Sequence, residues 1–481
     1  MKKYLIMALS VIFGLTACQS DKTYAPISTN IPSSIVPFYT NRPMSDIKIK
    51  KQPVKIGMLL PLTGKSEKIA EDLRNAGILA QFELAPENYE LSFYDTKGTQ
   101  DGAKEALNQA LNDKMQMILG PLFAKEVSAI RSMAQKNDIP VISFTSDEDV
   151  LSEGIYSMAL TIQNQTERII RFACEKGAKR LAIMAPDDKA GDIAIDSAKK
   201  TASQCGMEVT KLSVYNPTFI NFEPYVLSVL PENFVQIRKD KLAQKKRARL
   251  GLKEEEKQPT PTEELTVKEQ LEFDALFIAD DGNRLKSISA LFGLYDVYPQ
   301  DVLFLGLSTW NEPSLSNEGS LKGAYFPLLP ASGYEKFSKN FKDTYGKKPS
   351  RLASLAYDAV ALSAALTANG IPDLSVIHNP SGFLGTDGLL RFSQNGTAER
   401  LMEIHQIAGP KKFVRKEKAS ASFAIEDWKK EQMQDIRIIN EYEADMPVYL
   451  PEETSMTTTA KSADLTSTDL PLSEPSINPV H

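Results

Sequence analysis

Val54-Lys55-Ile56-Gly57-Met58-Leu59-Leu60, followed by Pro61-Leu62-Thr63-Gly64, is a short apolar run that stops at a turn. A strand covered on both faces by helices has no solvated side, so it reads as continuous apolar residues, and Pro and Gly end it. The next stretch, from Glu71 to Ala80, carries Leu73, Ala76, Gly77 and Ala80 at helical spacing. The alternation then repeats. Tyr89 to Tyr94 is strand-like, Asp101 to Leu111 helical, Met115 to Leu119 a strand ending in Gly120-Pro121, Ala124 to Gln135 a helix, and Pro140 to Phe144 a strand. Farther on, Arg180 to Ala185 is a strand and Gly191 to Gln204 a helix, and Phe273 to Ala279 and Val302 to Leu307 are two more strands. Strands alternating with helices imply an α/β fold with parallel sheets and right-handed crossovers. Such sheets bind ligands at the carboxyl ends of their strands.

Upstream of this body the chain changes character twice. Lys2 and Lys3 precede an uncharged apolar run from Leu5 to Leu15, too short for a bilayer span of about 20 residues. Leu15-Thr16-Ala17-Cys18 closes the run, and small residues at that point mark a signal peptide over residues 1–17. This stretch resembles the bacterial lipobox, which implies acylation of Cys18 and a stable lipid anchor. Gln19, rather than Asp, leans toward the outer membrane. Residues 18–52 are polar and aperiodic and read as a flexible tether.

Two other segments interrupt the pattern. Residues 231–271 are highly charged: Arg238, Lys239, Lys241, Lys245, Lys246, Arg247 and Arg249 precede Glu254-Glu255-Glu256. This reads as an inserted, partly helical excursion with little core of its own. Residues 413–481 turn polar and, past Pro451, rich in Ser, Thr and Pro, which predicts a largely disordered tail.

The 481 residues carry a net charge of -6, which argues against nucleic acid as a partner. Of three cysteines, Cys174 and Cys205 remain after Cys18; in an oxidising compartment they form a disulfide or stay as two buried thiols. The three histidines, His378, His405 and His481, stand at no metal-ligand spacing. No Gly-x-Ser-x-Gly elbow, Walker loop or Gly-x-Gly-x-x-Gly is present. No catalytic residue, metal or cofactor is therefore expected.

Ile56 to Gly64 resembles the opening strand of the branched-chain amino-acid binding proteins. Ile118-Leu119-Gly120-Pro121, Ile139-Pro140-Val141-Ile142-Ser143, Leu355-Ala356-Tyr357-Asp358-Ala359 and Gly382-Phe383-Leu384-Gly385-Thr386-Asp387-Gly388-Leu389-Leu390-Arg391-Phe392 follow in the same order. The resemblance covers about residues 53–412. It implies the type I periplasmic binding fold, two α/β lobes joined by three crossovers around a cleft. By analogy lobe one holds residues 53–158 and 326–380, and lobe two 159–325 and 381–412. The lipobox, the charged excursion and the stretch from Tyr298-Pro299 to Gly323-Ala324-Tyr325-Phe326 resemble a branch of outer-membrane lipoproteins that activate penicillin-binding proteins. The large N-terminal helical-repeat domain of the enterobacterial activator has no counterpart in this sequence.

The cleft candidates are Thr63, Ser143, Thr145 and Ser146. A free amino acid needs hydroxyls or N–H groups for its carboxylate and an acid for its ammonium. Where the amino-acid receptors supply hydroxyls, this chain has Leu122, Phe123 and Ala124. Asp147 and Glu148 would repel a carboxylate if they faced the cleft, and Lys189-Ala190-Gly191 lacks the receptors' aromatic residue. An amino-acid ligand is thus not expected, and Thr145 and Ser146 also suit plain turn chemistry. Lys245, Lys246, Arg247 and Arg249 are the candidate partner surface, either a contact for an acidic partner or a solvated helix face. Two functions remain open: a non-enzymatic activator of a peptidoglycan synthase, or a lipid-anchored receptor of an amino-acid transporter.

Overall fold

The structure, a computed structural model, describes residues 53–250 and 265–433, together with the backbone of 36–37. Cys18 and the signal peptide lie outside the described residues. Val36–Pro37 (β1) falls inside the stretch expected to be a free tether, yet its backbone pairs parallel with Phe383 and Leu384. That expectation is corrected for these two residues.

Lobe one begins with Val54–Leu60 (β2), Glu67–Leu84 (α1), Tyr89–Asp95 (β3), Gln100–Asn112 (α2), Met117–Leu119 (β4), Ala124–Lys136 (α3), Val141–Ser143 (β5) and Ile155–Ser157 (β6). The five strands form one sheet, ordered β3-β2-β4-β5-β6, all parallel. β2 is buried almost throughout, as its apolar run requires. Just past β4, Gly120 adopts φ +82°, and a Cβ there would stand 2.3 Å from the carbonyl oxygen of Leu59 in β2. Only glycine lets β4 turn so closely past β2 and carry Leu122-Phe123-Ala124 over the sheet's end.

Lobe two follows: Ile162–Glu175 (α4), Arg180–Pro186 (β7), Lys189–Gln204 (α5), Glu208–Tyr215 (β8), Glu223–Leu227 (α6), Glu232–Arg249 (α7), Val267–Gln270 (α8), Ala275–Ile278 (β9), Gly282–Leu294 (α9), Leu303–Leu305 (β10) and Tyr325–Leu328 (β11). Side-chain caps set the starts of α4 and α5. Thr161 accepts from Asn164 N–H (3.1 Å) and Asp188 from Gly191 N–H (2.9 Å). The Cys174–Cys205 disulfide joins the ends of α4 and α5, with Cα atoms 6.3 Å apart.

The chain then returns to lobe one. Ala331–Tyr345 (α10) leads to Ala353–Leu366 (α11), a helix apolar around most of its circumference and buried accordingly beneath α1. Phe383–Gly385 (β12), Gly388–Phe392 (β13) and Ala398–Arg400 (β14) form a small antiparallel sheet. Glu403–Gly409 (β15) and Lys412–Glu417 (β16) finish the seven-stranded sheet of lobe two, ordered β16-β15-β11-β10-β9-β7-β8. Residues 423–433 form a last helix, α12.

Three crossovers join the lobes, near residues 158–161, 329–330 and 401–402. Their number is as expected, but two boundaries differ. Residues 383–400, assigned to lobe two, pack Phe383, Leu390, Phe392 and Ala398 into the core of lobe one. Residues 326–328, assigned to lobe one, belong instead to the lobe-two sheet, because β11 pairs with β15, and β15 pairs in turn with β16. The predicted tail also starts too early. Residues 413–433 are structured, with Phe423 fully buried.

The charged insertion is corrected in part as well. Phe234, Val235 and Leu271 join the lobe-two core, so both ends of 231–271 are folded into it. Arg238, counted among the basic surface cluster, is 5% exposed. Its guanidinium lies 4.2 Å from the Phe234 ring centroid and 3.7 Å from Asp296. Residues 251–264 lie outside the described residues.

Candidate functional site

Between the carboxyl ends of the two sheets lies a cavity of about 920 Å³. Lobe one contributes Leu122, Phe123, Ala124 and Phe144 to its wall, with Thr145 and Ser146 beside them. Lobe two contributes Gln165, Asp281, Ser308, Thr309, Asn311 and Glu312. The crossover side adds Leu160, Arg351, Ser354, Leu355, Asp387 and Arg400.

Of the four predicted cleft residues, two are there. Thr145 and Ser146 line the cavity, and the Thr145 hydroxyl also accepts from the Asp147 N–H (3.1 Å), which is turn chemistry. Ser143 does not reach the cleft. It is the last residue of β5, fully buried, and its hydroxyl donates to the Tyr156 carbonyl at 2.8 Å within the sheet. Thr63 is also elsewhere. It donates to Asp95 Oδ2 at 2.7 Å and borders a separate hollow with Lys65, Lys97 and Lys125. Phe123 stands between that hollow and the cleft.

Leu122, Phe123 and Ala124 do line the cleft, so this wall offers no hydroxyl to a carboxylate. Asp147 and Glu148 do not line it, which removes the repulsion they were expected to exert. Lys189, at the start of α5, donates to both oxygens of Asp147 (2.7 and 2.8 Å) and lies 2.7 Å from Asp149. This ion pair crosses from lobe two to lobe one at the mouth of the cleft. By the family resemblance, Lys189-Ala190-Gly191 is the stretch where the receptors carry an aromatic residue.

The crossover side holds charged residues that sequence reasoning passed over. Arg351 donates to both oxygens of Asp387 (2.7 and 3.1 Å) and stacks 4.2 Å from the Tyr334 ring. Ser354 donates to the same carboxylate at 2.8 Å. Asp358, fully buried in α11, accepts from the Thr386 N–H at 2.8 Å. Burial, and then the nearby Asp387 charge, push its pKa up to about 7. Arg400 donates through Nε (3.1 Å) and Nη2 to the Met158 carbonyl, pinning one crossover to another. Burial pulls the Arg400 pKa down, while Asp387 and Asp358 oppose that shift. A charged residue inside the apolar run around Leu355 could have flagged Asp358. Nothing local marks Arg400, whose partner is 242 residues away.

On the opposite face of the wall, Asp280 is spent internally. It accepts from Tyr215 (2.6 Å) and from both Nε and Nη2 of Arg284 (2.7 Å each). Among the described residues, no group of His, Cys, Asp and Glu could hold a metal ion. Lys245, Lys246, Arg247 and Arg249 are all exposed on the last turns of α7, outside the cleft wall.

Comparison with known proteins agrees with this architecture. A family model described as periplasmic binding protein matches residues 53–233. A Rhodospirillum rubrum protein assigned to a branched-chain amino acid ABC transporter superposes with TM-score 0.60 at 15% identity, over 76% of this chain and 99% of that one. A branched-chain amino acid ABC transporter periplasmic ligand-binding protein from Burkholderia xenovorans gives 0.55 at 12% identity, over 77% and 95%. Full-length LpoA from Haemophilus influenzae gives 0.53 at 14% identity, over 76% of this chain and 59% of that one. No curated protein matches the sequence. The chain has the type I periplasmic binding protein fold, with parallel-rich sheets in both lobes.

Proposed function

We propose that this protein is a non-enzymatic lipoprotein of the bacterial envelope, anchored through Cys18 on the periplasmic face of the outer membrane, that docks on a peptidoglycan synthase and raises its activity. The observation that carries this reading is the basic end of α7. Its first turns are built into the lobe-two core by Phe234 and Val235, while Lys245, Lys246, Arg247 and Arg249 on its last turns are exposed. A receptor that only closes on a solute has no use for such an extension. The resemblance of the lipobox and charged excursion to the activators of penicillin-binding proteins points the same way, and LpoA shares the fold over its matched part. A basic surface steers association with an acidic partner and makes it salt-sensitive.

The test measures glycan-strand and cross-link formation by a purified penicillin-binding protein, with and without this protein. We expect stimulation, and an association rate lowered about ten-fold when Lys245, Lys246, Arg247 and Arg249 are changed to Ser. No stimulation by the wild type ends this reading. Full stimulation by the variant with an unchanged association rate keeps the function and excludes the surface.

The second reading, a receptor of an amino-acid transporter, is favoured by the cavity itself. Against it stands the apolar wall at Leu122, Phe123 and Ala124. Burying a carboxylate there without donors costs several kcal/mol, enough to abolish micromolar affinity. Titration calorimetry with leucine, isoleucine and valine is expected to show no micromolar binding; a micromolar dissociation constant for any of them restores the receptor.

A further inference from the structure

Beside the crossovers lies a second hollow, of about 370 Å³, that shares no wall residue with the cleft. Lobe one supplies Glu148 and residues between Ser393 and Glu399, lobe two supplies residues between Thr161 and Glu167 at the start of α4, and α12 supplies Lys430. Among the described residues, only Ala398 in its wall is apolar; the rest carry carboxylates, hydroxyls, amides or the Lys430 ammonium. Such a surface gives an alkyl or aromatic body little to pack on, and the volume suits a small polar molecule.

The charges of this hollow do not balance. Lys430 meets Glu399 at 2.5 Å and Asp427 at 3.9 Å, and Arg391 meets the same two carboxylates at 2.7 Å. Two cations thus offset two anions. Glu148 and Glu167 are left over, and among the described residues neither has a cationic partner; Glu167 accepts from the Gln163 amide at 3.0 Å. The Thr161 and Thr397 hydroxyls approach the Glu148 carboxylate and favour its charge, yet Glu148 Oε1 and Thr397 Oγ1 are buried and close no hydrogen bond among the described residues. Burial, and to a lesser degree the Glu167 charge, raise the Glu148 pKa, as befits a carboxylate short of a partner. A free donor faces the same space. Asn164 is 7% exposed, its Oδ1 accepts from the Arg400 N–H at 3.0 Å, and its Nδ2 has no hydrogen-bond partner among the described residues. Asn164 lines this hollow and not the cleft, so those N–H groups open here. Buried donors and acceptors left unmet cost the fold, and a ligand that meets them recovers that energy.

We propose that this hollow binds a polyhydroxylated amine such as an amino sugar, its ammonium seated at Glu148 Oε1 and Glu167 and its hydroxyls on Asn164 Nδ2 and Thr397 Oγ1. The cation is organic, because the acids here are not grouped to hold a metal ion among the described residues. A hydroxyl both accepts and donates, so the same sugar ring satisfies the Asn164 amide and the Thr397 oxygen. A bare diamine brings methylenes and no acceptor, and a neutral sugar leaves two carboxylates without a counter-charge. The site goes beyond the docking function proposed above and does not depend on it. Its walls come from both lobes and from α12, so a bound ligand ties all three together beside the crossovers.

The experiment titrates the full chain with glucosamine in a calorimeter at about pH 6.5, where the amine is largely protonated. N-acetylglucosamine and glucose are the neutral counterparts. Glucosamine is expected to give a saturable heat, and both neutral sugars to bind at least about ten-fold more weakly. Glu148→Gln is expected to abolish the saturable heat, with its folding checked by circular dichroism. Glu167→Gln, altering a partly exposed side chain outside the cleft wall, gives the second reading: affinity for glucosamine down about ten-fold. This variant decides the matter if Glu148→Gln does not fold. No saturable heat with glucosamine up to about 20 mM, an equal affinity for either neutral sugar, or undiminished binding by Glu167→Gln or by folded Glu148→Gln overturns the proposal.

Discussion

The hinge side and the mouth of the cleft are both held by ion pairs, in opposite surroundings. On the hinge side α12 reaches both lobes. Glu426 meets Arg171 of α4 at 2.8 Å, with the two side chains 8% and 12% exposed. Asp427 meets Arg391 of β13 at 2.7 Å, and Arg391 also pairs with Glu399 and stacks 4.4 Å from the Phe423 ring. The Arg391 guanidinium holds the Asp427 carboxyl below its usual range. At the mouth, Lys189 meets Asp147 and Asp149 with more than half its side chain in solvent. The same chemistry therefore does two jobs. The buried Arg171–Glu426 pair, with the Phe423 ring packed on Arg391 beside it, defines a fixed pivot, because breaking a buried pair leaves an uncompensated charge. An exposed pair is screened by salt and exchanges readily with water, which suits a closure that must open.

The hinge side should break hardest. Phe423→Ala removes a fully buried ring against which Gly382 and Arg391 pack, since a Cβ on Gly382 would stand 2.8 Å from it. The expected cost is about 3–5 kcal/mol in urea unfolding. A loss under about 1 kcal/mol would mean that α12 is an appendage and the pivot lies elsewhere.

The contrast sharpens with pH. Asp358, buried beside Asp387, Arg400 and the β12–β13 turn, has a pKa near 7 against an ordinary 3.8. The folded state then holds a proton between about pH 4 and 7 that the unfolded state has released. The stabilisation from this group is complete below the unfolded value and is lost as pH rises through the folded one. Asp358→Asn removes the titration. The stability of the wild type relative to the variant should fall by on the order of 4 kcal/mol from pH 4 to pH 8. A pH-independent difference would show that Asp358 is ionised throughout, held by Arg400 and the Thr386 N–H.

What the sequence revealed follows the same division. Strands such as Val54–Leu60 are buried on both faces, so their apolar runs announce them. The alternation with helices then carries the α/β fold class, whereas the three crossovers are what the family resemblance implies. Edge and hinge elements are hidden. β16 is an edge strand whose residues are half or fully solvated, so from Arg415 it reads as polar chain. α12 buries one ring, Phe423, and beside it Glu426 through an ion pair, while Ile425 and Trp428 are exposed, so no apolar helical period shows. The β12–β14 sheet went to the wrong lobe because its alternating Phe383, Leu390 and Phe392 show burial but not against which core. At the cleft, Leu122 to Ala124 and Thr145 were legible because they follow strand ends. Arg351 and Arg400 were not, since Asp387 and Met158 lie 36 and 242 residues from them.

The smallest effect belongs to the mouth. Lys189→Ala removes the only charge donor that Asp147 and Asp149 share across the cleft among the described residues. Half-exposed pairs of this kind contribute about 0–1 kcal/mol, so thermal unfolding should barely move. The shape should move more than the stability. With the pivot intact and the latch gone, the lobes are free to separate, and small-angle scattering is expected to give a larger radius of gyration for the variant than for the wild type at low salt. Raising salt to about 0.5 M should bring the wild type toward the variant, because screening weakens the latch while leaving the buried hinge pairs in place. Identical scattering of the two at low salt would show that the closed arrangement is held by the cleft walls themselves, and the comparison between pivot and latch would fall.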